Sequence, residues 1–266
     1  MSFPESQRVV YGKNPLGEVV CQLRFPTILR IGTDTPAGFQ DAVRAEYPMY
    51  KLQEPHVALP PNAPKELSSI LEQLSLLKPP GQVMHRFSTK DSQRFISLCQ
   101  DFLALTESAY TRWERFREQL RKAEGALTGT YEPAFYTRVG LRYIDRISRQ
   151  DLGLEGFPWR ELIRQPIIGE LGALEVADDV ATVQTRCVIT IPEVRGGKVR
   201  LIHGLETLAE DDGEEGYIID ADFFVEGKEG LDEPFEILDK FNGVAGRLFR
   251  WAITPTLHRA MEPRAI

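Results

Sequence analysis

Cysteine and histidine are scarce in this chain, with three and four respectively in 266 residues. Cys21, Cys99 and Cys187 are odd in number and far apart. That spacing suits neither a disulfide framework nor a zinc site. Each cysteine lies in an apolar, strand-like context, so the three read as reduced core thiols of a cytoplasmic protein. A catalytic thiol would need a base beside it, and the sequence shows none. Long hydrophobic runs are missing as well. No stretch approaches the roughly 18 apolar residues of a membrane span. The opening MSFPESQRVVYGK lacks the apolar segment of a secretory signal. The expectation is a cytoplasmic protein with no membrane partner.

Catalytic motifs are absent too. There is no G-x-S-x-G elbow, no H-E-x-x-H and no phosphate-cradling glycine pattern. Asp220-Ala221-Asp222 sets two carboxylates on one strand face, as a hard cation would want. His203 and Glu206, three apart, alternate to opposite faces, and the histidines are scattered. The reading is no metal, no cofactor and no motif-borne catalytic residue, which leans against an enzyme. A site assembled from distant residues would leave no such motif.

The composition that is present is that of an ordinary globular domain, 42% hydrophobic and 27% charged. The length suits one compact unit over 1–266. The net charge of -7 argues against wholesale nucleic-acid binding. The charge is unevenly spread. Ala109 to Gln165 holds 11 Lys/Arg against 8 Asp/Glu, a net of +3. His203 to Lys240 holds 2 against 14, a net of -12. This asymmetry suggests an electrostatic partner.

Periodicity supplies the elements. Alternation predicts strands over 18–25, 83–89, 94–100, 102–107, 135–148, 183–191, 198–208 and 217–226. Thr35 is the expected N-cap of a helix that begins at Pro36 and carries Phe39, Val43 and Tyr47 inward. Tyr110, Trp113, Phe116, Leu120, Ala123 and Leu127 recur at steps of three and four, which predicts a long helix ending at Gly129. Leu238, Phe241, Ala245, Leu248 and Ala252 do the same for a helix from Pro234. Residues 149–180 read as a connector, with short helix potential from Trp159. Residues 54–82 are proline-rich and read as an irregular insertion. The fold class predicted is α+β, antiparallel sheet packed with long amphipathic helices. Two strand-rich halves, 15–148 and 181–254, are suggested.

Five stretches come in order: NPLGEVVCQLRFP, PAGFQDAVRAEYP, HRFSTKD, SAYTRWERF and RVGLRYIDRI. In that order, and over nearly the whole chain, the sequence resembles a sporadically distributed bacterial family of about this length. No catalytic residue transfers with the resemblance. The scattered distribution implies mobile or defence-related gene clusters as a context.

Arginines supply the candidate ligand site. Alternation puts Arg138, Arg142 and Arg146 on one face of a long strand, with Gly140 between them for close approach. Arg24, beside Gln22, and Arg86 lie on the polar faces of their own strands. If these strands share a sheet, the arginines form a basic face suited to phosphate, carboxylate or a nucleic-acid backbone. By the same alternation Asp220, Asp222, Phe224 and Glu226 share a face and form a candidate interaction surface, Phe224 being an exposed apolar group there. Acidic and basic stripes on neighbouring strands would simply pair across the sheet. The leading expectation is a non-enzymatic binding protein. Its partner would be another protein or a second copy, met head-to-tail through the unlike charged regions. The alternative is an anionic ligand, a nucleotide or nucleic acid, held by Arg24, Arg138 and Arg142 in a cleft between sheet and helix.

Overall fold

The computed structural model describes residues 2–53, 83–208, 215–231 and 233–265. The proline-rich stretch 54–82 and most of the acidic loop 210–216 lie outside the described residues.

The strands are β1 (Val9–Tyr11), β2 (Leu16–Arg24), β3 (Met49–Gln53), β4 (Met84–Ser88), β5 (Arg94–Cys99), β6 (Phe102–Glu107), β7 (Tyr136–Ser148), β8 (Gln184–Ile191), β9 (Gly197–Thr207), β10 (Glu215–Leu231) and β11 (Pro263–Ala265). The helices are α1 (Leu29–Thr33), α2 (Ala37–Val43), α3 (Trp113–Tyr131), α4 (Arg149–Leu152), α5 (Trp159–Leu162), α6 (Gln165–Ile168), α7 (Pro234–Ala252) and α8 (Pro255–Ala260).

Nine strands form one antiparallel sheet in the order β3-β4-β5-β6-β2-β7-β10-β9-β8, and β1 pairs separately with β11. The fold is α+β. β2 and β7 lie side by side at its centre. On each side of them the order of elements is the same: a strand, short helices, a three-stranded meander and a long helix. The last meander strand returns to pair with the first strand, β6 with β2 and β10 with β7.

The pleat decides which face is the core. In β7, Val139, Leu141, Tyr143 and Ile147 point one way and are buried. The same face is covered by α3, which packs on β6 and α2, and by α7, which packs on β7 and β10. Phe241 of α7 is fully buried and sets its ring 5.9 Å from that of Phe223 in β10. Burying one such ring stabilises the fold by about 1.5–3 kcal/mol. Asp239 joins the two long helices, accepting from Trp113 Nε1 at 2.7 Å and from Arg117 Nε at 2.8 Å.

The ends of several elements differ from the periodic reading. α2 begins at Ala37, because Pro36 has φ -76° and ψ 52° and serves as N-cap without a side-chain bond. The Thr35 carbonyl instead accepts from the Ala37 amide at 2.8 Å in a tight turn. α3 runs past Gly129, since Tyr131 continues the buried stripe, and stops where Glu132 turns left-handed at φ 51°. β1, β3 and β11 carry too few alternating residues to show in the sequence.

The stretch NPLGEVV has a specific shape. Asn14 Oδ1 accepts from the Leu16 amide at 3.2 Å, an Asx turn. The Pro15 carbonyl accepts from the Arg146 amide at 2.8 Å. Register then slips between Leu16 and Glu18, a bulge opposite Asp145 and Ile144.

Candidate functional site

The sheet face away from the helices carries the arginines. Arg24, Arg138 and Arg142 meet there around a cavity of about 180 Å³, together with Gln22, Gly140, Asp220, Asp222 and Glu226. Arg200 of β9, which the sequence reading did not single out, joins them.

These guanidiniums have partners within the chain. Arg138 bonds Gln22 Oε1 at 2.9 Å and Asp222 at 3.0 and 3.1 Å. Its register partner is Glu226, and it reaches Asp222 only by lying over Gly140. A Cβ at Gly140 would collide with the Arg138 guanidinium. The glycine therefore makes room for a side chain of this protein. Arg142, displaced in turn, forms a two-pronged bond with Asp220. Arg146 pairs with Glu206 at 3.2 Å and Arg200 with Asp222 at 3.3 Å. Arg24 sits beside Asp101, whose carboxyl is raised by burial against the pull of that charge. Arg86 lies 3.5 Å over the Phe95 ring. Burial raises the Glu18 carboxyl, while Arg142, Arg146 and Arg86 pull it back.

The acidic set is drawn into the same network. Asp220 and Asp222 accept from arginines, and Glu226 stands 3.9 Å from Arg138. Phe224 lies beneath two guanidiniums, 5.1 Å from Arg138 and 5.5 Å from Arg200. One donor is left over: the Gln22 amide nitrogen is buried and makes no hydrogen bond among the described residues.

A larger cleft, of about 640 Å³, opens on the other side of the sheet. It lies between the leader 5–11, α7 and the paired β2 and β7. Asn14 and Leu16 from the Asx turn and bulge border it, as do Tyr110, Trp113, Tyr143 and Asp145. Two steps of alternation from Tyr143 put Asp145 on the apolar face, among core residues. It is 8% exposed and forms no hydrogen bond or ion pair among the described residues. Burial pushes its carboxyl up to about 8, and Asp220 across the sheet adds to the shift. An unpartnered buried carboxyl is costly and calls for a reason.

Around it runs a polar chain. Tyr143 donates to Asn242 Oδ1 at 2.9 Å, and Tyr110 interacts with Tyr143. Tyr11 shares a 2.9 Å hydrogen bond with His258 Nδ1, and burial raises its phenol to about 12. α7 meets the cleft with Gly243 and Gly246. A Cβ at Gly246 would have no neighbouring atom within 4 Å. Glycine inside a helix costs about 0.8–1 kcal/mol relative to alanine, and here it leaves the cleft open.

The predicted cleft between sheet and helix is therefore present, but Arg24, Arg138 and Arg142 are on the opposite face. The sequence did contain a clue to Asp145: in RVGLRYIDRI the arginine alternation puts this one carboxylate on the side of Val139 and Leu141. All three cysteines are free thiols within strands, and burial pushes Cys21 up, away from the reactive thiolate. Among the described residues no group of three or more His, Cys, Asp or Glu is placed to hold a metal ion. Among them, too, no helix is long and apolar enough to cross a membrane.

No family model and no curated protein matches the chain. A solved structure described as "KH domains" aligns over 91% of this chain and 88% of its own, with 10% identity and a TM-score of 0.26. A likeness that slight carries no argument about fold or function.

Proposed function

We propose that the protein is a binding protein for a small molecule, which it takes into the cleft between the leader, α7 and the β2–β7 pair. One observation carries the reading: a buried carboxyl without a partner, Asp145, in a cleft of about 640 Å³. Small-molecule sites commonly measure about 300–1,000 Å³, with apolar walls and a few convergent polar groups. A strongly shifted titratable group in a cleft marks such sites. The arginine face supports an anion site less well, because Arg138, Arg142, Arg146 and Arg200 each already hold a carboxylate of this chain.

The cleft can be closed by substitution. Gly246→Trp fills open space and should leave the fold intact. Thermal melts against a metabolite library should raise Tm of the wild type with at least one compound, since a ligand specific to the folded state stabilises it. The variant should lose that rise. Equal rises in both proteins, or none in either, would overturn the reading.

A protein partner has one observation in its favour. β3 is an edge strand among the described residues, and Met49, Tyr50 and Leu52 are 54%, 41% and 43% exposed on it. An exposed apolar edge suits strand addition. Replacing Leu52 with lysine should weaken any such complex and leave the cleft unaffected.

A further inference from the structure

The chemistry of the cleft changes with depth, and this gradient narrows the class of ligand. The argument rests on the reading of the cleft as a small-molecule site. At the buried end are two polar groups with unused capacity. Asp145 has no hydrogen-bond partner among the described residues. Asn242 uses its carbonyl oxygen for Tyr143, and its amide nitrogen has no partner among the described residues. The sides are aromatic: Tyr11 stands edge-on to Phe249 at 5.9 Å, and Tyr110 edge-on to Tyr143 at 6.0 Å. The exposed end is basic. Arg112 and Arg250 border the cleft, and neither forms an ion pair among the described residues.

Each simple ligand leaves part of this unused. An amine or other cation would satisfy Asp145 but face two uncompensated arginines. An inorganic anion would suit the arginines and leave Asp145 buried and unpaired. A wholly apolar ligand would satisfy neither end. An amino acid carries its ammonium and carboxylate on one carbon, whereas here the acceptor is deep and the cations are at the mouth. The fitting molecule has a hydrogen-bonding edge at one end, a flat body that packs on aromatic rings, and an anion at the other end. A nucleobase edge meets a carboxyl side by side through N–H and ring nitrogen, and arginine forks suit phosphate.

We propose that the cleft binds a nucleoside monophosphate, with the edge of the base against Asp145 and Asn242 and the phosphate between Arg112 and Arg250. The Asx turn and bulge at Asn14–Glu18 belong to the same site. They re-aim β2 beside Asp145, and bulges commonly do this next to binding sites. Gly17 fits the bend closely: a Cβ there would stand 3.0 Å from the Arg146 guanidinium.

Isothermal titration calorimetry on the full chain tests the proposal, with adenosine 5′-monophosphate, guanosine 5′-monophosphate, adenosine and ribose 5-phosphate as probes. A nucleotide should bind, and both adenosine and ribose 5-phosphate should bind at least tenfold more weakly. Asp145→Ala should weaken the nucleotide at least tenfold and leave ribose 5-phosphate unchanged. Arg250→Gln should weaken the nucleotide and leave adenosine unchanged. Circular dichroism checks that each variant folds, and Asp145→Val, which suits a strand, stands in if the alanine variant does not. If neither nucleotide binds, or if Asp145 variants bind it as the wild type does, the proposal is overturned. Should a library compound still raise Tm in the wild type and not in Gly246→Trp, the cleft survives as a site and only the nucleotide falls. Should no compound do so, both fall.

Discussion

Arg142 and Asp145 lie three residues apart on one strand and have opposite fates. Arg142 points to the open face and meets Asp220, of which only 6% of the side chain is exposed. A largely buried pair of this kind is dangerous to break, because one charge is left without compensation. Arg142→Leu should therefore cost about 3–5 kcal/mol in urea unfolding. The double variant with Asp220→Leu should recover most of that loss. Asp145 points to the core side and has no such partner. Its folded-state pKa, about 8, lies above the ordinary 3.8. The folded protein thus holds a proton that the unfolded chain has already released, and stability falls as pH rises between those values. The stability this proton contributes is complete below about pH 4 and is lost by about pH 8, at up to about 1.4 kcal/mol per unit. Glu18, Asp101, Glu107 and Glu206 are also raised by burial. They are common to wild type and Asp145→Asn, so the difference between the two proteins isolates Asp145. Unfolding curves from pH 4 to pH 8 should show the asparagine variant gaining steadily on the wild type.

At the scale of elements, α7 shows how a helix can hold a core and shape a cleft at once. Leu238, Phe241, Val244, Ala245 and Leu248 are buried. Gly243 and Gly246 border the cleft. If the glycines serve only to keep the cleft open, Gly246→Ala should stabilise the protein by about 0.5–1 kcal/mol, measured by chemical unfolding. A loss of stability would mean that the glycine is needed by the backbone. The long elements were legible in sequence for a physical reason. β7 and α7 each repeat their period over more than three turns or pleats, and burial on one side follows the repeat. β1 and β11, with three residues each, give no period to read. α3 overran Gly129 because packing of Tyr131 outweighs the preference of glycine for a helix end. In the site, the alternation of Arg138, Arg142 and Arg146 was legible, and so was the counter-stripe of Asp220 and Asp222. Their actual pairing was not, because it depends on Arg138 lying across Gly140, a diagonal that spacing cannot reveal. Asp145 was visible as a charge but not as a site, since the cleft beside it is built by the leader and α7, remote in sequence.

Across the whole molecule, the two oppositely charged regions are neighbours. β7 belongs to the basic stretch and β10 to the acidic one, and they pair along nearly their full length. Ion pairs at Arg138–Asp222, Arg142–Asp220, Arg146–Glu206, Arg149–Glu215 and Arg117–Asp239 link them within one chain. The charge asymmetry that suggested a head-to-tail partner is thus largely met inside the fold. Light scattering at low and moderate salt should show the same oligomeric state at both, because no interface depends on these charges. A salt-sensitive oligomer would mean that they also act between molecules.

The cleft itself is tested most directly by native mass spectrometry of the full chain after incubation with a cell metabolite extract, wild type beside Gly246→Trp. The wild type should carry a small-molecule adduct that the folded variant lacks. A wild type that stays bare, or an adduct carried equally by both, would contradict the assignment of the cleft as the binding site.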